Sequence, residues 1–144
     1  MKMTKKMSKA IGDYSFYKKL FIEGEIGREN AISELQIVHE YNYEILLPIS
    51  VLYCVVGTRF KRNPRNPQIY RYFQKVYGLR LVDSESTWSR NINNLFQHNY
   101  ANIATPTLAD MEVRNIIHND PEIKFLLTYQ KEKYIDLFQQ VQTF

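Results

Sequence analysis

Ile45-Leu-Leu-Pro-Ile-Ser-Val-Leu-Tyr-Cys-Val-Val56, closed by Gly57, is the longest apolar run in the chain. Its β-branched content suits a buried strand. Pro48 near its front and Gly57 just past its end suit a short buried helix, because proline is tolerated in a first helical turn and glycine at a helix C-terminus. The choice decides the fold class. A strand here needs partner strands, and Leu79–Val82 is the only other candidate. Want of partners favours the helix. Interrupted by Pro48, the run also falls short of the roughly 20 residues that span a bilayer.

Helical spacing continues on both sides of this run. Lys5–Phe21 places Met7, Ala10, Ile11, Tyr14, Tyr17, Leu20 and Phe21 at intervals of three and four. Glu29–Tyr41 sets Ala31, Leu35 and Val38 on one side, with an acidic opposite face. Gln68–Tyr77 carries a stripe of Ile69, Tyr72, Phe73, Val76 and Tyr77, and Gly78 stops it. Asp83 or Ser84 can cap a helix reaching about His98. Thr107 and Asp110 resemble a capping box for Leu108–Asn119. Asp120-Pro-Glu122 opens a last helix that runs towards Phe144 past Ile123, Leu127, Tyr134, Phe138 and Val141. The expectation is an all-α fold: one compact domain over 1–144, a bundle of six or seven helices, with 1–10 as a basic N-terminal arm.

Composition agrees with a single globular unit. The chain has 144 residues, 44% hydrophobic and 24% charged, which argues against wholesale disorder. One cysteine, Cys54, excludes an intrachain disulfide framework and a cysteine-rich zinc site, and points to a reducing compartment. Within its apolar run Cys54 reads as an inert core thiol. Lys2, Lys5, Lys6 and Lys9 are followed by no apolar signal region. The expected location is the cytoplasm, or the nucleus in a eukaryote, with no membrane partner.

Charge is segregated. Residues 1–20 hold six Lys and one Asp, and 21–58 hold six Glu and one Arg. Residues 59–80 hold seven Lys and Arg and no acid. That block creates a local positive potential unless folding lays it against Glu23–Glu44. Within it, the loop 59–67 carries Arg59, Lys61, Arg62 and Arg65, enough to hold phosphates. Arg71 and Lys75 point away from the apolar stripe of the following helix. Of the aromatics interleaved with these cations, Tyr70 alone lies off that stripe as a stacking candidate.

In the helix after Ser84, Trp88, Ile92, Leu95 and Phe96 share one sector, and Ser86, Ser89, Arg90, Asn93 and Gln97 gather opposite, with no acid among them. Such side chains read base edges and phosphates. Ser86-Thr-Trp-Ser-Arg-Asn-Ile-Asn93 resembles the start of a recognition helix in bacterial helix-turn-helix repressors, and Gln68–Tyr77 resembles the helix before it. The connection Leu79–Asp83 is longer than the usual turn of about 3–4 residues. The resemblance implies a duplex-DNA-binding unit over 68–98, with Ser86, Ser89, Arg90 and Asn93 in the groove. The other reading is a small protein-interaction subunit, or a phage-type inhibitor or adaptor, docking on a larger partner through tyrosines such as Tyr41, Tyr43, Tyr70, Tyr100 and Tyr129. A homodimer through Glu122–Phe144 is a further partner expectation. No catalytic constellation, cofactor motif or metal-ligand spacing is visible. Arg114 with His118 spans one helical turn but has no fixed acid or base beside it. The chain is accordingly expected not to be an enzyme.

Overall fold

The structure is a computed structural model that describes residues 8–57, 63–83 and 108–144. The decisive run divides at its proline. Glu44–Pro48 is a strand, β2, and Ile49–Val56 is a helix, α3. Pro48, with φ −65° and ψ 139°, is the last extended residue and the N-cap in one. The partner strands are present as short segments. β1 is Lys9–Gly12, β3 is Arg80–Val82 and β4 is Ile123–Leu127. They form one sheet in the order β3-β2-β1-β4, and every pairing is parallel. Between the strands run α1 (Tyr14–Phe21), α2 (Arg28–Glu40), α3, α4 (Arg65–Tyr77) and α5 (Leu108–Asn119). A 3-10 helix, Lys131–Leu137, follows β4.

The all-α expectation is therefore wrong, and the fold is α/β. The cause is physical. Parallel strands lie between helix layers and are buried on both faces, so they read as short continuous apolar runs without alternation. Ala10, Ile11, Ile45, Leu46, Leu47, Ile123, Leu126 and Leu127 are all buried. At this length an apolar run fits a helical stripe as well as a strand. So the helix expected over Lys5–Phe21 is β1 followed by α1, and the one opening at Asp120 is β4 followed by the 3-10 helix. Elements with longer periodicity are found as helices: α2, Leu108–Asn119, and the helix through Gln68–Tyr77, which begins earlier, at Arg65, within the expected 59–67 loop.

The helix-turn-helix pair is corrected by the same sheet. Gly78 stands at φ 63°, a left-handed conformation that glycine adopts without strain, and turns the chain out of α4. Leu79 is buried, and Arg80–Val82 then pairs in parallel with Leu46–Pro48. The helix read as the first of a DNA-binding pair thus feeds a sheet strand. The proposed recognition residues Ser86, Ser89, Arg90, Asn93 and Gln97 lie outside the described residues, as do Arg59, Lys61 and Arg62.

β1 sits centrally. The Tyr17 hydroxyl donates to the Leu46 carbonyl at 2.7 Å, linking α1 to the neighbouring strand, and its ring stacks on Phe21. The outer edge of β4 is covered by the C-terminal tail, where the Leu126 N–H donates to the Gln142 carbonyl at 2.8 Å and the Gln142 N–H to the Lys124 carbonyl at 2.9 Å. At the opposite end of β1, Lys9 Nζ lies 2.7 Å from Asp120. Among the described residues no helix is long and apolar enough to cross a membrane.

Gly12 closes β1 because nothing larger fits. A Cβ there would lie 2.6 Å from Tyr17 Cε2 and 2.9 Å from Phe16 Cδ2, both on fully buried rings. Gly12→Ala is expected to destabilise the fold by about 1–3 kcal/mol through overpacking, read as a lowered urea midpoint with an unchanged m-value.

Candidate active site

In open parallel sheets, the place for chemistry is the crevice beyond the carboxyl ends of the strands, where the strand order reverses. Here the chain leaves β1 for β2 on one side and returns to β4 on the other, so the reversal lies between β1 and β4. The residue after β1 is Asp13, and the residue after β4 is Thr128. They meet: Thr128 Oγ1 donates to Asp13 Oδ2 at 2.6 Å.

Asp13 is the N-cap of α1, with Oδ1 accepting from the Phe16 N–H at 3.1 Å. The same oxygen accepts from Ser15 Oγ at 2.6 Å. Ser15 also accepts the Tyr129 N–H across the junction, and Thr128 accepts the Gln130 N–H within its own turn, each at 2.9 Å. Asp13 is only 1% exposed. Burial pushes its carboxyl pKa up, and the hydroxyls of Ser15 and Thr128, the Phe16 N–H and Tyr134 pull only part of the way back.

The second carboxylate arrives on α5. Asp110, in the first turn of that helix, is buried. Its Oδ2 lies 3.3 Å from Lys133 Nζ, and its Oδ1 accepts from the Tyr134 hydroxyl at 3.4 Å. Tyr134 also lies within electrostatic reach of Asp13, so one phenol stands near both acids. Burial, and then the charges of Asp13 and Asp110, push that phenol far above the ordinary tyrosine range. Glu112, two residues further along α5, has a different task. Its Oε1 accepts the Ser50 N–H at 3.1 Å and the Ser50 hydroxyl at 2.8 Å, capping the N-terminus of α3. Cys54 is exposed rather than a core thiol, and burial of its sulfur together with the Asp110 charge pushes its pKa up.

The architecture is similar to the crystal structure of VapC20 from Mycobacterium tuberculosis, a sarcin–ricin loop cleaving toxin, with a TM-score of 0.62 and 12% sequence identity over 82% of this chain and 87% of that chain. The likeness is one of fold, a parallel four-stranded sheet with helices packed on it. Comparison with protein-family profiles and with curated proteins finds no match. The parallel sheet and this likeness in fold overturn the reading of the chain as a helix-turn-helix DNA-binding protein and the expectation that it is not an enzyme. DNA as the favoured partner falls with it.

Of the phosphate-holding residues expected from sequence, Arg65, Arg71 and Lys75 are described, and all three are exposed on α4. Arg65 pairs with Glu23 at 3.5 Å, so part of the basic block is laid against the acidic one. Arg80 does the same with Glu44 at 2.8 Å. Arg65 also lines an open cleft of about 540 Å³ between α2 and α4, with Arg28, Tyr72 and Phe73. The assignment of stacking candidates is reversed there. Tyr70 packs edge-on against Phe21, whereas Tyr72 is 59% exposed.

Sequence reasoning missed Asp13, Asp110, Thr128, Lys133 and Tyr134 as a group. The available signal was positional. In Ala10-Ile-Gly-Asp13 and in Leu126-Leu-Thr128, an apolar run ends on a small or polar hydrogen-bonding residue, as at the carboxyl edge of a buried strand.

The raised Asp13 pKa carries a sign that can be tested. Between the unfolded aspartate value of about 3.9 and the higher folded value, the native state binds more protons than the unfolded one. Asp13's contribution is therefore complete below that window and is lost as pH rises through it. Urea midpoints of the wild type and Asp13→Asn, taken from about pH 4 to about pH 8, should show a wild-type advantage that shrinks with rising pH. An advantage that grows with pH would mean that the folded state prefers the carboxylate.

Proposed function

We propose that this chain is an RNA-directed enzyme, a ribonuclease of the toxin class, working at the carboxyl edge between β1 and β4. The observation that carries the reading is the pair of buried acids, Asp13 and Asp110, brought from opposite ends of the sequence to the reversal point of a fold similar to that of the sarcin–ricin loop cleaving toxin. Carboxylates at such a place can take and return the proton of an attacking hydroxyl, a contribution of about 10²–10⁴-fold in rate. Asp110 is the more exposed of the two, at 5% against 1% for Asp13.

The cations expected on phosphates keep that role with RNA as the ligand: Arg65, Arg71 and Lys75 on α4, and Arg59, Lys61 and Arg62 before it. Tyr72 beside Arg65 and Arg28 in the α2–α4 cleft suits an unpaired base, since aromatic stacking beside cations is how single strands are held. Ser86, Ser89, Arg90, Asn93 and Gln97 remain RNA-contact candidates on their residue types alone. A protein partner also fits this reading, and Tyr41, 75% exposed, is the strongest anchor for one. The reading places the protein in the cytoplasm, where its substrate is.

Enzymes that cleave phosphodiesters often hold divalent ions between carboxylates. The described residues do not fit one. Both Asp13 oxygens accept hydrogen bonds from the chain itself, and both Asp110 oxygens are met by Lys133 and Tyr134. Among the described residues no group of three His, Cys, Asp or Glu side chains could hold a metal.

The test is cleavage of a synthetic sarcin–ricin stem-loop and an unrelated RNA hairpin by the purified chain. Cleavage is expected, and Asp110→Asn is expected to lower its rate by about 10²-fold or more. Absence of cleavage by the wild type, or an Asp110→Asn rate equal to it, overturns the reading.

A further inference from the structure

The segment after β4 holds a cation against Asp110 by its own construction. Lys133 Nζ is 3.3 Å from Asp110 Oδ2, and the two side chains are only 18% and 7% exposed, so water screens the pair weakly. The next residue, Tyr134, meets the other Asp110 oxygen and stands near Asp13. Consecutive residues of a regular helix diverge by about 100° and would not converge on one carboxylate. Here they do, because Tyr134 stands at φ −126° and ψ 18°, outside helical geometry, in the middle of the 3-10 helix.

Arg114 holds this kink in place from α5. It donates to the Lys133 carbonyl and pairs with Asp136 at 2.7 Å, and its guanidinium lies 5.3 Å from the Tyr134 ring. Lys133 is thus positioned through its backbone as well as through its ion pair. Once such a buried pair loses its cation, the carboxylate loses its ammonium partner at 3.3 Å. The replacement best suited to a carboxylate cluster is a hard cation with oxygen ligands.

We propose that the Lys133 ammonium is the resident cation of the Asp13–Asp110 site, occupying the place a divalent ion takes between nuclease carboxylates. The occupancy stands on the geometry above. That it serves RNA cleavage rests on the ribonuclease reading.

The test uses the full chain and Mn²⁺, with free ion read from its electron paramagnetic resonance signal. The wild type should leave the signal undiminished. Lys133→Met should bind the ion at least about tenfold more tightly than the wild type, and Lys133→Met combined with Asp110→Asn should lose that uptake. Equal binding by the wild type and Lys133→Met overturns the proposal, as does a folded Lys133→Met that takes up no ion, or uptake that survives Asp110→Asn. Should Lys133→Met fail to fold, the wild type decides alone. Its urea midpoint in MnCl₂ should match that in NaCl of equal ionic strength, and a rise specific to Mn²⁺ overturns the proposal, because an ion that binds only the folded state stabilises it. RNA cleavage is scored separately, so a chain that cuts no RNA yet shows this Mn²⁺ pattern loses the ribonuclease reading and keeps the resident cation.

Discussion

Asp13 sits beneath the surface with both carboxyl oxygens occupied, and nearly every feature of the functional edge can be traced to it. Its position directly after β1 makes it the cap of α1. Its second oxygen takes the Thr128 hydroxyl and thereby ties the end of β1 to the end of β4, 115 residues later. The two hydroxyls at that junction then satisfy the N–H groups of Tyr129 and Gln130, which settles where the chain goes after β4. That path delivers Lys133 and Tyr134 to Asp110. A buried acid is tolerable only when its hydrogen bonds are complete, so each of these partners is a condition of the next.

The helices and the strands differ in how plainly they can be read. Leu108–Asn119 is legible because a three-turn helix repeats its apolar spacing and shows its charge at the first turn. β1 and β3 offer four residues and three, too few for any period to assert itself. Ile45–Pro48 holds the clearest strand signal, but the apolar character runs on unbroken into α3, so the boundary is marked only by Pro48. What was missing was a pairing rule, not a propensity. Parallel partners are separated by whole helices, and nothing local in Lys9–Gly12 announces Glu44–Pro48 or Ile123–Leu127. The candidate site was hidden for the same reason. Asp13, Asp110 and Lys133 are ordinary as neighbours in sequence and become a cluster only through the sheet order.

The charge blocks gave a partly correct picture. From sequence, the acid-free stretch 59–80 fits either an open positive face or one balanced by Glu23–Glu44. The structure divides it. Arg65 and Arg80 each meet a glutamate of the acidic block, while Arg71 and Lys75 stay exposed. Surface pairs of this kind add little stability, usually about 1 kcal/mol or less. Their effect is to limit how much of the block remains available to a polyanion.

The seating of β1 between β2 and β4 has a bearing on biosynthesis. One flank of the central strand, β2, follows it after two helices, but the other, β4, comes only after β2, β3 and all five described α-helices. Until then the nascent chain carries an open hydrogen-bonding edge at Ala10–Gly12, and the acid that follows it lacks Thr128. The Asp13–Thr128 junction therefore forms only after β4 has been made, and a polypeptide that stops short of β4 would carry the helices without it.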